Sequence, residues 1–354
     1  MTLSNRAATL TATGTPVQVL PAEVPTLGPG ELLVATRAVA VNPADAALQA
    51  LGPALFPNLK LPFVLGFDVA GVVVSTGSPA SKSRFKPGDR VVGMPSGSIR
   101  VPSDPTEAAF QNYCRLREGL AAHLPLSIAF EEGAVIPAGL CTATAALFQD
   151  ENLGLLPPTS PRRDPVGQTV LIWGGASSVG SNAIQLAVAA GYEVVATASP
   201  ANFEYVKALG AKWAFDYRSA TVEEDILRLL GEEGRCTAGA FAIPNESLEP
   251  CVRIMGDKRV SVATGRRFVS SAMPVPAGLD TGEVEAEFCN CTTVEEKGYG
   301  VLQEFLPKAL DAGEFLPRPA PQVVGTGLEC IQGALETMAK GVKATKLVVS
   351  IPAE

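Results

Sequence analysis

A single histidine, His123, serves a chain of 354 residues. A metal centre built on a histidine pair is therefore excluded, as is any mechanism that needs two imidazoles. A Ser-His-Asp arrangement would have to use His123. Its neighbours, Leu120-Ala-Ala-His-Leu-Pro125, read as a strand entering a turn, and a structural or surface histidine is the expectation. No run approaches the roughly 18 to 20 apolar residues that span a bilayer. The stretch 69–74 is broken by Gly71 and followed by Ser75 and Gly77, as in a buried strand. The first residues, Met1-Thr2-Leu3-Ser4-Asn5-Arg6, lack a basic-then-apolar signal pattern, so a soluble cytoplasmic protein is expected, with no membrane partner. Lys and Arg form no rich run and the net charge is -8, which disfavours nucleic acid as a partner. Seven cysteines are scattered rather than framed for disulfides. Cys289 and Cys291 are the only near neighbours, and their spacing fits neither a redox nor a common zinc pattern. Free, mostly buried thiols follow.

What is present is a large apolar fraction, 47% against 18% charged, enough for a sizeable core. The length exceeds what one core usually organises, so two domains are expected. Residues 6–135 read as short strands punctuated by Gly and Pro, such as 31–40, 64–75 and 89–92. Lys86-Pro87-Gly88-Asp89 is an explicit turn. Helical periodicity first appears over 130–147, with Glu131 and Glu132 in the opening turn, where carboxylates meet the positive helix end. The segment 153–167, with Pro157, Pro158, Pro161 and Pro165, reads as a surface loop. After it the texture alternates: strand 169–173, helix 179–190, strand 193–198, helix 202–209, strand 213–216, helix 222–230. That order means parallel strand-helix-strand units, a doubly wound α/β domain. The tail reads as a helix over 328–340 and a strand over 346–351, and such a lone strand can return to the first domain's sheet.

The most informative stretch runs from Thr169 through Gly174, Gly175, Ala176, Ser177, Ser178, Val179 and Gly180 to Leu186. A buried strand enters a turn of small residues and then directly a helix. A pyrophosphate needs this geometry, because it must reach free backbone N–H groups and the positive helix end. Gly180 takes the part of the third glycine of the dinucleotide fingerprint, letting helix and strand pack closely. Ser177 stands where the middle glycine is usual, and a tight turn that binds nothing is the alternative. The next strand ends Ala198-Ser199-Pro200, without the Asp or Glu that accepts hydrogen bonds from the ribose 2′-hydroxyl of NAD. A carboxylate there would repel a 2′-phosphate, so NADPH is the favoured cofactor. No Arg or Lys follows Ser199 directly, and Lys207 is expected to face solvent.

These residues bring a resemblance that spans nearly the whole chain. It is carried by Gly28-Pro29-Gly30-Glu31, Val41-Asn42-Pro43-Ala44-Asp45 and Leu65-Gly66-Phe67-Asp68-Val-Ala-Gly71. Phe85-Lys-Pro-Gly-Asp-Arg-Val-Val-Gly93, Gly139-Leu-Cys-Thr142-Ala, the glycine turn, 203–211 and Asp216-Tyr217 continue it in order. The chain resembles the medium-chain dehydrogenase/reductase superfamily, in its zinc-free quinone and enoyl reductase branch. In texture it resembles fungal zinc-binding-type oxidoreductases and the trans-acting enoyl reductases of polyketide synthases. The resemblance implies a GroES-like, β-rich catalytic domain over 1–137, completed by 310–354. A Rossmann-type doubly wound parallel sheet over 138–309 would bind NADPH, with the nicotinamide in the cleft. By position, the glycine turn, Ser199, Asn202 and Tyr217 would hold the pyrophosphate and adenosine. Asn42, Thr142 and Lys346 would lie at the nicotinamide end. Asn42 reads equally as a turn-forming Asn-Pro residue, and Tyr217 has the alternative of an exposed aromatic after a strand.

Zinc-dependent relatives place cysteine near Asn42 and histidine at the position of Phe67. This chain has neither, and it lacks the four-cysteine lobe between Asp89 and Tyr113, so no metal is expected. Many relatives carry Trp-Lys at the positions of Ala46 and Ala47, and certain enoyl reductases a tyrosine slightly later. Here both are missing, so no catalytic acid is identified, and a wide apolar pocket or altered chemistry is implied. The implied reaction is hydride transfer to the conjugated C=C of an enone, quinone or enoyl substrate, with water able to supply the proton. Carbonyl reduction, or a nucleotide-binding pathway protein without redox turnover, stays open as an alternative. The partners implied are a small hydrophobic unsaturated substrate and, as a candidate, a polyketide synthase carrier domain, with the chain a monomer or homodimer.

Overall fold

A computed structural model describes residues 3–353, apart from 80, 100, 233, 264, 290 and 292–299. The chain divides into two compact units, Met1–Ala138 with Pro317–Glu354, and Gly139–Leu316.

The first unit is built on the eleven-residue strand Glu31–Val41, whose apolar run is buried almost throughout. It pairs antiparallel with Asp68–Thr76 on one side and with the tail strand Lys346–Ser350 on the other. The sheet continues outward through Pro321–Thr326 beyond the tail strand, and through Arg90–Gly93 and Ala121–His123 beyond Asp68–Thr76. A smaller sheet orders Gln18–Ala22, Asn5–Leu10 and Phe63–Val64. The expected strand over 64–75 is interrupted at Gly66. This residue adopts φ 110°, and a Cβ there would lie 2.5 Å from the Phe110 ring. The chain turns at that point, and Asp68 opens a new strand. The expected helix over 130–147 is likewise two helices, Phe130–Gly133 and Pro137–Phe148, because Pro137 cannot donate to the first.

In the first unit the segment before Tyr113 is held by charge. Glu107 is buried, accepts from the Ser96 hydroxyl at 2.7 Å and pairs with Arg117 at 3.1 Å. His123 ends its short strand with its ring 4.5 Å from the Phe85 ring and Nε2 3.2 Å from the Arg84 carbonyl. No disulfide joins the seven cysteines, all of which lie among the described residues, and four of them are buried.

The second unit holds a six-stranded parallel sheet. Its order is Trp213–Asp216, Glu193–Ala198, Thr169–Trp173, Thr237–Ala242, Phe268–Ser271, Glu285–Phe288. Helices Val222–Leu230 and Leu248–Gly256 bury Ile226, Leu230, Ile254 and Met255 against Leu171, Val195, Ala240 and Val269 of the sheet. Helix Ser178–Ala189 is a second layer, with Ala183, Ile184, Leu186 and Ala187 buried. The chain runs outward from Thr169–Trp173 to one edge and then returns to its other side, which creates a topological switch point. Ligands of open α/β sheets bind at the carboxyl ends of the strands beside such a point.

Candidate functional site

In the second unit the glycine turn sits at that switch point. Gly174 leaves the strand with φ 96°, and a Cβ on it would meet Pro244 at 2.8 Å. Thr197, on the neighbouring strand, accepts from Gly174 N–H through its hydroxyl and from Gly175 N–H through its carbonyl. Ser177, in place of a glycine, caps the helix. Its Oγ accepts from Gly180 N–H at 3.0 Å and donates to the Gly174 carbonyl at 2.8 Å. The other first-turn amides, from Ser178 and Val179, have no carbonyl one turn back within the helix. Gly180 lies so close that a Cβ would be 2.2 Å from the Gly174 carbonyl oxygen.

Two buried oxygens near this turn, Ser178 Oγ and Asn182 Oδ1, have no partner. Gly139 brings helix Pro137–Phe148 against the same place, since a Cβ there would be 2.8 Å from Ser178 Oγ. Thr142, one turn further along that helix, hydrogen-bonds the Cys291 thiol, which burial pushes up. The close approach, the free amides and the unpartnered Ser178 hydroxyl, which can donate, fit a dinucleotide pyrophosphate.

Ala198, Ser199 and Asn202 stand together at the end of the next strand, with Asn202 Nδ2 donating to Ser199 Oγ at 3.1 Å. Lys207 is on the surface, paired with Glu204 at 3.2 Å. In the register of the sheet Asp216 lies beside Ala198, so an acid does stand one strand over. Arg218 answers it, its Nε 3.4 Å from Asp216 Oδ1 and its guanidinium 5.5 Å from the Tyr217 ring centre. This arginine escapes sequence reasoning, which searches only after Ser199. The usable signal is a base two residues past the third strand. Tyr217 is exposed and lines a groove of about 610 Å³ with Trp173, Val222, Leu227, Glu246 and Pro250.

In the first unit the structure gathers Asn42 and Lys346 with two carboxylates. The pairing of Leu347 with Val41 and of Asp68 with Ala40 sets residues 346, 42 and 68 side by side. Asn42 is also the N-cap of helix Pro43–Leu51, whose Pro43 occupies a first-turn position. Asp45 Oδ2 accepts from Asn42 N–H at 2.8 Å, as in a capping box. The Lys346 ammonium pairs with Asp68 Oδ2 at 2.9 Å and donates to Asn42 Oδ1. Asn42 Nδ2 donates to Asp68 Oδ2 at 2.8 Å, and Ala138 N–H to Asp68 Oδ1 at 2.6 Å. Burial pushes the Asp45 carboxyl up to about 7; the Asn42 N–H opposes this and the Asp68 charge adds to it. Its Oδ1 has no partner. Among the described residues no group of three His, Cys, Asp or Glu is arranged to hold a metal. Asp68 faces the Lys346 ammonium instead, a group that cannot ligate a metal while it carries its proton.

Comparison with known proteins now decides the family. Residues 28–146 match the alcohol dehydrogenase GroES-like domain and residues 178–273 the zinc-binding dehydrogenase family. The chain is 46% identical to dehydrogenase pigH of Monascus ruber, covering 98% of this chain and 100% of that one. The chain belongs to the medium-chain dehydrogenase/reductase superfamily. It is also 36% identical to the trans-enoyl reductase himH of Aspergillus japonicus, over 91% of this chain and 90% of that protein. The crystal structure of CurK enoyl reductase superposes with a TM-score of 0.75 at 22% identity, covering 98% and 99% of the two chains. A two-part α/β fold of this superfamily and an oxidoreductase that uses a nicotinamide cofactor are thereby established. Among the described residues no helix is long and apolar enough to cross a membrane.

Proposed function

We propose that the chain is a cytoplasmic, NADPH-dependent, zinc-independent reductase acting on the conjugated C=C of an enone, quinone or enoyl thioester. The observation that carries the cofactor reading is the end of strand Glu193–Ala198. It presents Ala198, Ser199 and Asn202 and no acid, while the carboxylate beside Ala198 in the sheet register, Asp216, is engaged by Arg218. A 2′-phosphate meets hydroxyl, amide and guanidinium donors in such a place, whereas NAD would find no carboxylate free to take its 2′-hydroxyl.

When bound, NADPH supplies the hydride. The amides of Ala176, Ser178 and Val179 would hold the pyrophosphate at the helix N-terminus, and Tyr217 would face the adenosine. Thr142, on helix Pro137–Phe148, would lie towards the nicotinamide end. Zinc independence is supported by Asp68, whose neutralising partner is Lys346. Ala46 and Ala47 are small and half-buried, which suits a broad apolar substrate. The relative named a trans-enoyl reductase supports an enoyl substrate, and a carrier-bound thioester is the form such an enzyme would meet.

Titration of the purified protein with NADPH and NADH, followed by nicotinamide fluorescence, tests the cofactor reading. NADPH is expected to bind at least about tenfold more tightly, worth about 1.4 kcal/mol. Equal affinities, or a preference for NADH, would contradict it.

A further inference from the structure

We propose that the Asp216–Arg218 pair sets the coenzyme preference: Arg218 takes the 2′-phosphate, and Asp216 is a counter-charge that would turn the site against that phosphate if the arginine were lost. The proposal rests on the NADPH-dependent reading above and lies wholly within the second unit.

Trp213 and Phe215 pack on the core formed with helices Val222–Leu230 and Leu248–Gly256, so Asp216, the next residue of the strand, faces the opposite side of the sheet. Registered neighbours in a parallel sheet point the same way, and Asp216 is paired with Ala198. Ala196 shares that face, and a Cβ on Gly175 would lie 3.1 Å from it. The carboxylate therefore stands on the side of the glycine turn. It is one strand spacing, about 4.8 Å, from the strand end where an NAD enzyme carries its acid.

An uncompensated carboxylate there would accept from a ribose hydroxyl and repel a phosphate. Arg218 reverses the sign of the place. Asp216 Oδ1 accepts from the Arg218 N–H at 3.1 Å and from its Nε at 3.4 Å. Among the described residues neither Nη1 nor Nη2 of Arg218 has a hydrogen-bond partner, and these two nitrogens form the fork that suits a phosphate. The guanidinium is 5.5 Å from the Tyr217 ring centre, which keeps it beside the groove that Tyr217 lines. The pair is also easily opened. Its side chains are 60% and 27% exposed, and a long surface ion pair of this kind holds its partners weakly.

Arg218→Ala tests the pair through the ratio of NADPH to NADH affinity, measured by fluorescence titration. Competition by 2′,5′-ADP and 5′-AMP isolates the adenosine end, and circular dichroism reports the fold. NADPH affinity is expected to fall about 30-fold, as for a lost charge-assisted contact, while NADH affinity stays within about twofold. Asp216→Asn keeps an acceptor for the Arg218 N–H and releases the guanidinium, so NADPH should bind about threefold more tightly. Asp216→Asn/Arg218→Ala should bind NADPH about tenfold more tightly than Arg218→Ala, because no carboxylate is left to repel the phosphate. An unchanged coenzyme ratio in Arg218→Ala, whether or not both affinities fall, would overturn the proposal alone. So would a double variant that binds NADPH no better than Arg218→Ala. An unsubstituted protein that binds neither coenzyme, or binds NADH as tightly as NADPH, would overturn the functional reading and the proposal with it.

Discussion

Gly180→Ala is expected to weaken NADPH binding by at least about 100-fold, a loss of about 2.7 kcal/mol, while the protein remains folded. The added Cβ would lie 2.2 Å from the Gly174 carbonyl oxygen and 2.7 Å from Gly175 Cα. Both are backbone atoms of the turn, so no side-chain rotation relieves the clash. The helix Ser178–Ala189 must move off the strand end, and it carries the first-turn amides with it. Gly180 N–H also leaves Ser177 Oγ, which breaks the cap. Gly175→Ala makes a useful contrast, since its Cβ would meet only side-chain atoms, Ile184 Cδ1 at 3.0 Å and Ala196 Cβ at 3.1 Å. A milder loss is expected there. Fluorescence titration measures binding in both variants, and circular dichroism reports the fold. Near-normal affinity in Gly180→Ala would mean that the turn is packing and nothing more.

Stability should fall as the pH rises from about 4 to about 7, and Asp45→Asn should remove that fall. Asp45 ordinarily ionises near 3.8 and is pushed up to about 7 in the folded chain, chiefly by burial. Between those values the folded state holds a proton that the unfolded state has released. Stability therefore declines with rising pH, by about 1.4 kcal/mol per unit at most and about 4 kcal/mol in all. The contribution is fully present below pH 4 and lost as the pH passes through 7. Carboxylates held by arginines, such as Glu224 and Asp257 with Arg259, act in the opposite sense at lower pH. The difference between wild type and Asp45→Asn isolates the single group, and denaturant melts at pH 5, 6, 7 and 8 measure it. Parallel pH profiles for the two proteins would show that Asp45 is not held protonated.

The strand-turn-helix at the heart of the second unit is legible because every signal in it is local. An apolar run gives strand Thr169–Trp173, small residues give the turn, and helix Ser178–Ala189 begins one residue before its expected start. The tail strand is legible as an element for the same reason, and its return to the first unit's sheet follows from topology. What is not legible is pairing across long separations. Asn42 and Lys346 stand 304 positions apart, and nothing in either neighbourhood announces the other. Asp68 reads as part of a strand motif until the kink at Gly66 turns it towards Lys346. Asp45 reads as one letter of an Asn-Pro-x-Asp pattern, and its altered acidity exists only once the helix is buried. Arg218 was hidden differently, because parallel neighbours in the sheet come from successive strand-helix units. The outer strands Phe268–Ser271 and Glu285–Phe288 are four residues each, too short to show a period.

The most direct test of hydride delivery to a conjugated C=C is isotopic. The protein is mixed with NADPH deuterated at the transferable position and with a panel of enones, quinones and enoyl thioesters, and the products are read by mass spectrometry and NMR. The account predicts a saturated carbonyl product carrying deuterium at the former β-carbon of an enone or enoyl thioester. Deuterium on a carbinol carbon would mean carbonyl reduction, and NADPH bound without oxidation by any member of the panel would mean a dinucleotide-binding protein without redox turnover; either result would contradict it.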